Sequence, residues 1–208
     1  MTRIKICGVT TVADAEALAE LGVEAVGLNF YPKSPRYLNL DQARTLITAL
    51  GPFTATVGVF VTGDVLREFP QISQLNLRAW QTYSDGPAVL GDHTPAHIPA
   101  YRVRNLADLE SIQGDIRQRR PAAVLVDSYV VGEMGGTGHR APWDLLRDFK
   151  PAVPLILAGG LTPENVAEAI CVVRPWGVDV ASGVESSPGH KDIGRVRAFI
   201  AAVRSVHG

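Results

Sequence analysis

Long apolar runs are missing from this chain: no segment approaches the ~20 residues that a helix needs to cross a bilayer. Cysteine is almost absent as well. Cys7 and Cys171 are the only two, far apart and with no metal-ligand spacing around them. An excess of charge is also lacking, since 20 Lys and Arg stand against 21 Asp and Glu, for a formal net charge of −1. That balance favours neither nucleic acid nor an anionic membrane surface as a partner. The start, Met1-Thr2-Arg3-Ile4-Lys5, runs straight into a strand without a signal-peptide hydrophobic region. A reduced, cytoplasmic protein is the expectation. Linkers, low-complexity tracts and repeats longer than one strand–helix unit are absent too, so residues 1–208 read as one domain. The histidines show no ligand spacing: His93, His97, His190 and His207 read as surface residues, and His139 follows a glycine cluster.

What is present is enough apolar material for a full core, 46% of the residues. It is laid out as short apolar runs alternating with amphipathic stretches. Strands are expected at 3–7, 24–30, 54–61, 77–82, 97–102, 122–127, 154–158 and 177–181. Helices are expected over Val12–Leu21, Asp41–Leu50, Leu106–Arg119, Pro163–Val173 and Asp192–Val206, with Thr11 and Thr162 as N-caps. Eight strands alternating with helices imply a parallel sheet closed into a (β/α)8 barrel, for which 208 residues is short but sufficient. Gly63–Ile72 leaves room for only a short third helix. Residues 82–97 are rich in turn signals, so the fourth helix is expected to be degenerate or missing.

Chemistry in such a barrel gathers at the C-terminal ends of the strands. Two of these ends carry glycine: Leu155-Ile156-Leu157-Ala158-Gly159-Gly160, and Val178-Asp179-Val180-Ala181-Ser182-Gly183-Val184. Glycine lets the backbone approach a ligand closely, and free N–H groups beside a helix start attract an anion. A phosphate ester is therefore expected as part of the substrate. The first strand ends at Cys7-Gly8 and the sixth at Asp127-Ser128, while the second runs through Asn29-Phe30 into Tyr31-Pro32-Lys33-Ser34-Pro35-Arg36. A thiol and a carboxyl on different strand ends suit a base and an acid acting on one bound sugar phosphate. Alternation turns Asp127 inward while Val124 and Val126 face the helices, and it places Lys5 on the inner side with Cys7. There the lysine would lower the thiol pKa from about 8.5. Asp179, inward by the same parity as Ala181, either pairs with Lys5 or contacts the substrate. Lys33 reads as a solvated charge, and Cys171, between Ile170 and Val172, as a small core residue.

Six stretches together carry a resemblance. They are Lys5-Ile6-Cys7-Gly8, Tyr31-Pro32-Lys33-Ser34-Pro35-Arg36-Tyr37, Val126-Asp127-Ser128, Gly135-Gly136-Thr137-Gly138, Leu157-Ala158-Gly159-Gly160-Leu161 and Ser182-Gly183-Val184-Glu185. In order and spacing they resemble the phosphoribosylanthranilate isomerases, (β/α)8 enzymes of tryptophan biosynthesis, over nearly the whole chain. The resemblance implies an Amadori rearrangement, an aldose-to-ketose shift that needs no metal or cofactor. It implies Asp127 as a general acid with a raised pKa and Cys7, as thiolate, as a general base with a depressed one. It further implies Arg36 on the anthranilate carboxylate. Phosphate is implied on the backbone of Gly136, Thr137, Gly138, Gly159, Gly160, Ser182 and Gly183. Similar enzymes occur as monomers and as homodimers.

The chain departs from the family pattern at three places. Gln81-Thr82-Tyr83-Ser84 stands where the family usually shows Gln-Leu-His-Gly, Ala141-Pro142-Trp143 where it shows Phe-Asp-Trp, and Asn29 where an apolar residue is usual. Other phosphosugar isomerases on this fold are disfavoured. A pentulose-phosphate epimerase wants histidines at strand ends, and the bifunctional histidine/tryptophan isomerases use an aspartate pair. An indole-forming synthase would need lysine and glutamate acid–base groups. A drifted or non-catalytic paralogue that binds a related sugar phosphate is the alternative, and intact Cys7 and Asp127 argue against it.

Overall fold

The expected strand–helix alternation closes on itself. The computed structural model describes residues 1–83, 95–127 and 143–206. Eight parallel strands hydrogen-bond in chain order around a closed barrel. They are β1 (Arg3–Cys7), β2 (Ala25–Asn29), β3 (Ala55–Phe60), β4 (Ala79–Thr82), β5 (Ala96–Arg102), β6 (Val124–Asp127), β7 (Leu155–Ala158) and β8 (Gly177–Val180). The helices between and after them are α1 (Val12–Glu20), α2 (Leu40–Leu50), α3 (Val65–Glu68), α4 (Leu106–Arg119), α5 (Trp143–Leu146), α6 (Val166–Val173) and α7 (Ile193–Ser205). A two-stranded hairpin, β9 (Glu185–Ser187) with β10 (His190–Lys191), stands between β8 and α7.

Local chemistry explains most boundaries. Thr11 caps α1 by accepting from the Asp14 N–H at 3.1 Å, and Asn39 with Gln42 forms a reciprocal capping box on α2. Asn105 and Asp192 cap α4 and α7 as Thr11 caps α1, each accepting from the N–H three residues on. The sixth helix differs from expectation. Pro163, Glu164 and Asn165 form a turn, and the regular helix begins only at Val166, with Asn165 rather than Thr162 at the cap position. The Thr162 carbonyl still accepts from the Val166 N–H at 3.1 Å, so the turn feeds directly into the helix. The third helix is as short as its sequence suggests, one turn followed by a 3-10 turn over Ile72–Leu75. Aromatic rings pack near that stretch: Phe30 and Phe60 stack with centroids 5.2 Å apart, and Trp80 meets Phe60 edge-on at 6.0 Å. The expectation about a fourth helix lies outside the described residues.

Strand parity sorts the barrel into two cores. Ile4, Ile6, Val26, Leu28, Val124, Val126, Leu155, Leu157, Val178 and Val180 face outward into the layer shared with the helices. Val57, Ala79, Ile98, Ala100, Ala123, Leu125, Ile156 and Ala158 fill the interior from β3 to β7 and from the residue that leads into β6. The β8–β1 side of that interior is charged instead, holding buried Lys5 and Asp179. His97 is a correction to its expected surface position: it is buried and lies 2.9 Å from the Thr82 hydroxyl. Desolvation, with Arg119 nearby, lowers its pKa. Cys171 corrects in the other direction, because it is exposed on α6. None of the described helices is long and apolar enough to cross a membrane.

Candidate active site

Lys5 and Asp179 are register partners on adjacent strands, and both turn inward. The Lys5 ammonium donates to both carboxylate oxygens at 2.9 Å. The pairing expected of Asp179 is therefore realised. Desolvation opposes the ammonium, but the Asp179 carboxylate, aided by the neighbouring Cys7, outweighs it and holds Lys5 above its ordinary pKa. Removing one partner would strand a buried charge, at a cost of about 3–5 kcal/mol.

Cys7 lies one inward position beyond Lys5, at the end of β1. Its thiol differs from the expected depressed state. The residue keeps partial exposure, yet desolvation of the sulfur comes first and pushes the thiol above its ordinary pKa. Lys5 and Lys191 pull it down and Asp179 pushes it up. Lys5 acts in the direction the sequence implied, but Asp179 answers much of its charge. In the free protein the thiol is therefore held protonated.

Space for both side chains comes from Gly27, the neighbour of Cys7 in register on β2. A Cβ there would stand 2.7 Å from the Cys7 Sγ and 3.0 Å from the Lys5 Nζ. Gly27→Ala is expected to drive the thiol from its position, lowering turnover about tenfold or more and stability by about 1–3 kcal/mol. Steady-state kinetics and a thermal melt check both; wild-type turnover would show that this thiol position does not matter.

Asp127 ends β6, half-buried and turned inward, three strands away from β1 around the ring. Between the two, Tyr83 follows β4 into the barrel mouth and packs on the interior core. Gln81 donates its amide to the Tyr83 hydroxyl at 3.2 Å. Desolvation first, then the acidic groups Asp179, Asp127 and Cys7, raise the Tyr83 pKa far above its ordinary value, so the phenol stays neutral. The strand-four departure thus puts an aromatic hydroxyl inside the site.

Arg36 reaches the mouth on a loop that Asn29 organises. The Asn29 Oδ1 accepts from the Tyr31 N–H at 2.8 Å, and its amide donates to the Ser34 hydroxyl at 3.3 Å. That hydroxyl in turn accepts from the Arg36 N–H at 3.1 Å. The polar residue in an apolar place is therefore the brace of the arginine loop. Arg36 itself is forked onto Glu185, with Nε at 2.8 Å and Nη2 at 2.5 Å. Gly8, at φ 74°, allows this, because a side chain there would overlap the arginine stem. Glu185 also accepts from the Lys191 ammonium at 2.7 Å and from the Gly189 N–H at 3.3 Å. Desolvation alone would raise its pKa, yet Arg36 and Lys191 bring it below the usual value.

The two glycine loops face the same mouth. Gly159 and Gly160 take φ of 93° and 62°, in the left-handed region. The Asn165 side chain closes their turn by donating to the Gly160 carbonyl at 2.9 Å. Ser182 and Gly183 form a 3-10 turn, and Gly183 lies so close to the Leu161 carbonyl that any side chain would overlap it. Arg195 joins the loops, donating to the Gly183 carbonyl at 3.0 Å and pairing with Glu164 at 3.4 Å. Gly136, Thr137, Gly138 and His139 lie outside the described residues, as does Ser84. Lys33 is exposed, as expected.

Sequence reasoning missed Gly27, Lys191 and Tyr83 and gave Glu185 no role. A glycine inside the run Ala25-Val26-Gly27-Leu28 was a readable signal for close approach. Lys191, beside His190 in a polar stretch, gave none.

The barrel mouth thus gathers a thiol, a carboxyl, an arginine fork and two anion-receptive loops. Residues 4–202 match the sequence family described as N-(5'phosphoribosyl)anthranilate (PRA) isomerase. N-(5'-phosphoribosyl)anthranilate isomerase of Pseudomonas fluorescens is 45% identical over 206 residues, covering 97% of this chain and 98% of that protein. The crystal structure of phosphoribosyl anthranilate isomerase from Thermotoga maritima superposes with a TM-score of 0.85 at 38% identity, over 99% of this chain and 100% of that one. A structure of a phosphoribosyl anthranilate isomerase in complex with reduced 1-(o-carboxyphenylamino)-1-deoxyribulose 5-phosphate gives a TM-score of 0.81 at 37% identity, with coverage of 99% and 100%.

Proposed function

The chain belongs to the N-(5'-phosphoribosyl)anthranilate isomerase family and catalyses that isomerisation in tryptophan biosynthesis, and from this premise we propose that Asp127 is its general acid and Cys7 its general base. The observation that carries the assignment is the placement of both groups at the same rim, facing inward from strands three apart, on either side of the mouth.

The substrate is an aldose derivative and the product a ketose, so only protons and electron pairs within the substrate move. Asp127 gives a proton to the ribose ring oxygen as the C1′–O bond breaks, and the nitrogen lone pair forms a cationic Schiff base at C1′. Cys7 takes the proton from C2′. The electrons of that C–H bond form the C1′–C2′ double bond, and the former imine pair returns to nitrogen. The enolamine then tautomerises to 1-(2-carboxyphenylamino)-1-deoxyribulose 5-phosphate. A cationic Schiff base beside Cys7 supplies the charge that the free thiol lacks. Positive charge within ~4–6 Å favours a thiolate, so on ring opening the partly exposed Cys7 thiol gives up its own proton to solvent, and the thiolate so formed is the base that takes the C2′ proton.

Phosphate is held on the backbone of Gly159, Gly160, Ser182 and Gly183, with Gly136, Thr137 and Gly138 completing its site. Arg36 takes the anthranilate carboxylate with the part of its guanidinium not engaged by Glu185. The Tyr83 hydroxyl donates to a sugar oxygen between acid and base. The same reading puts a monomer or homodimer in the cytoplasm, acting on a small phosphosugar. Purified protein with chelator present is expected to consume freshly made phosphoribosylanthranilate rapidly, followed as loss of anthranilate-type fluorescence. A folded protein that binds a phosphorylated product analogue but turns nothing over would defeat the acid–base assignment and leave a rebuilt pocket.

A further inference from the structure

Lys191 carries the most enclosed ammonium of the site, with no side-chain exposure at all. It comes from β10, outside the barrel, yet its Nζ reaches the strand ends. It donates to the Cys7 carbonyl at 2.7 Å and to the Glu185 Oε1 at 2.7 Å, and it lies 3.5 Å from the Ala181 carbonyl. Its own backbone N–H is tied to the Asp14 carboxylate at 3.2 Å. An ammonium has three donors, and three acceptors surround this one, so no donor is left for a substrate.

We propose that Lys191 is a positioning residue that locks the Cys7 strand end and the Arg36 guanidinium into one fixed arrangement. One contact falls on the main chain of the residue that bears the thiol. Another falls on the carboxylate that forks Arg36. The third falls on the loop that leads from β8 into Ser182 and Gly183. Glu185 is the shared element, since Arg36 and Lys191 meet on its Oε1. A lysine kept only to hold the hairpin would be a costly choice. Burying an ammonium carries a desolvation cost, and an apolar residue of similar volume serves stability as well or better. The charge also has a target. Among the described residues, the charged or titratable groups that face Cys7 are Lys5 from β1, Asp179 from β8, Arg36 from the loop after β2, Tyr83 after β4, and Lys191. Lys5 is matched by Asp179, whereas Arg36 and Lys191 share the single carboxylate of Glu185, so one positive charge of that cluster is left in excess beside Cys7.

The proposal rests on the roles given above to Cys7 and Arg36, and the test separates the two. In a Cys171→Ser background, which leaves Cys7 as the single thiol, Lys191→Met is compared with the parent protein. The rate of Cys7 alkylation by iodoacetamide is measured against pH, together with KM and kcat. The alkylation midpoint is expected to rise by about half a pH unit or more, and KM to rise about tenfold or more. A folded variant with an unchanged midpoint and an unchanged KM overturns the proposal. If Lys191→Met does not fold, Glu185→Gln decides, because it keeps the lysine and removes the charge that links it to Arg36. A raised KM in that variant supports the lock, and a parental KM overturns it. Alkylation reports on the thiol whatever its part in turnover, so an active Cys7→Ser enzyme would sink the acid–base assignment without touching this result.

Discussion

Cys7→Ser is expected to lower kcat about 10²–10⁴-fold while binding of a phosphorylated product analogue stays at the wild-type level. Serine fits the same space beside Gly27 and Lys5, so the fold is not disturbed. A hydroxyl does not ionise in the range open to a thiol, and no base remains to take the C2′ proton. The direction of the Cys7 shift adds a second readout. Burial raises the folded-state pKa above the unfolded value of about 8.5. Folding therefore favours the protonated thiol, a contribution fully present below that pH and lost as the pH climbs through the folded-state value. The serine variant lacks this group, so its melting temperature should fall less than that of the wild type between neutral and strongly alkaline pH. Near wild-type turnover in Cys7→Ser would remove the thiol from the mechanism. An identical alkaline loss of stability in both proteins would contradict the burial argument.

Asp127→Asn is expected to remove most turnover by a different route, and the two losses can be told apart. The amide is close in size to the carboxyl but has no proton to give to the ring oxygen. A loss of about 10²–10⁴-fold follows for a positioned acid. Ring opening of the substrate also proceeds slowly in water, however, and Cys7 remains able to process any open-chain Schiff base. With Asp127→Asn in excess over substrate, the residual rate should reach a plateau set by spontaneous opening, independent of enzyme concentration. Cys7→Ser should show no such plateau, because its missing step follows ring opening. Stopped assays across an enzyme titration give the answer. A residual Asp127→Asn rate that keeps rising in proportion to enzyme would mean that another group protonates the ring oxygen.

These two residues were legible because the period of a strand is simple. Residues two apart share a face, so Val124 and Val126 going outward forced Asp127 inward, and the position of Cys7 fixed that of Lys5. The glycine ends of β7 and β8 were legible for a related reason, since glycine marks places where the backbone itself does the work. Helix limits could be read where the cap is local, as at Thr11. They slipped at α6, where Pro163 satisfies the rule for a first turn and the chain makes a separate turn before the helix proper.

The charge state of Cys7 was not legible. Sequence showed Lys5 on the same face and implied a depressed pKa, but the balance depends on how much protein surrounds the sulfur and on Asp179, which is remote in sequence yet adjacent in register. Lys191 and Glu185 were illegible for the same reason. Their roles come from a hairpin folding back over the barrel mouth, and no local rule sets its path. Local periodicity and composition by themselves determined the barrel, its parity, the inward thiol and carboxyl, and the glycine loops. Only the tertiary structure decided which charges meet and which is desolvated, because Coulomb and hydration energies depend on distances and burial across elements far apart in the chain.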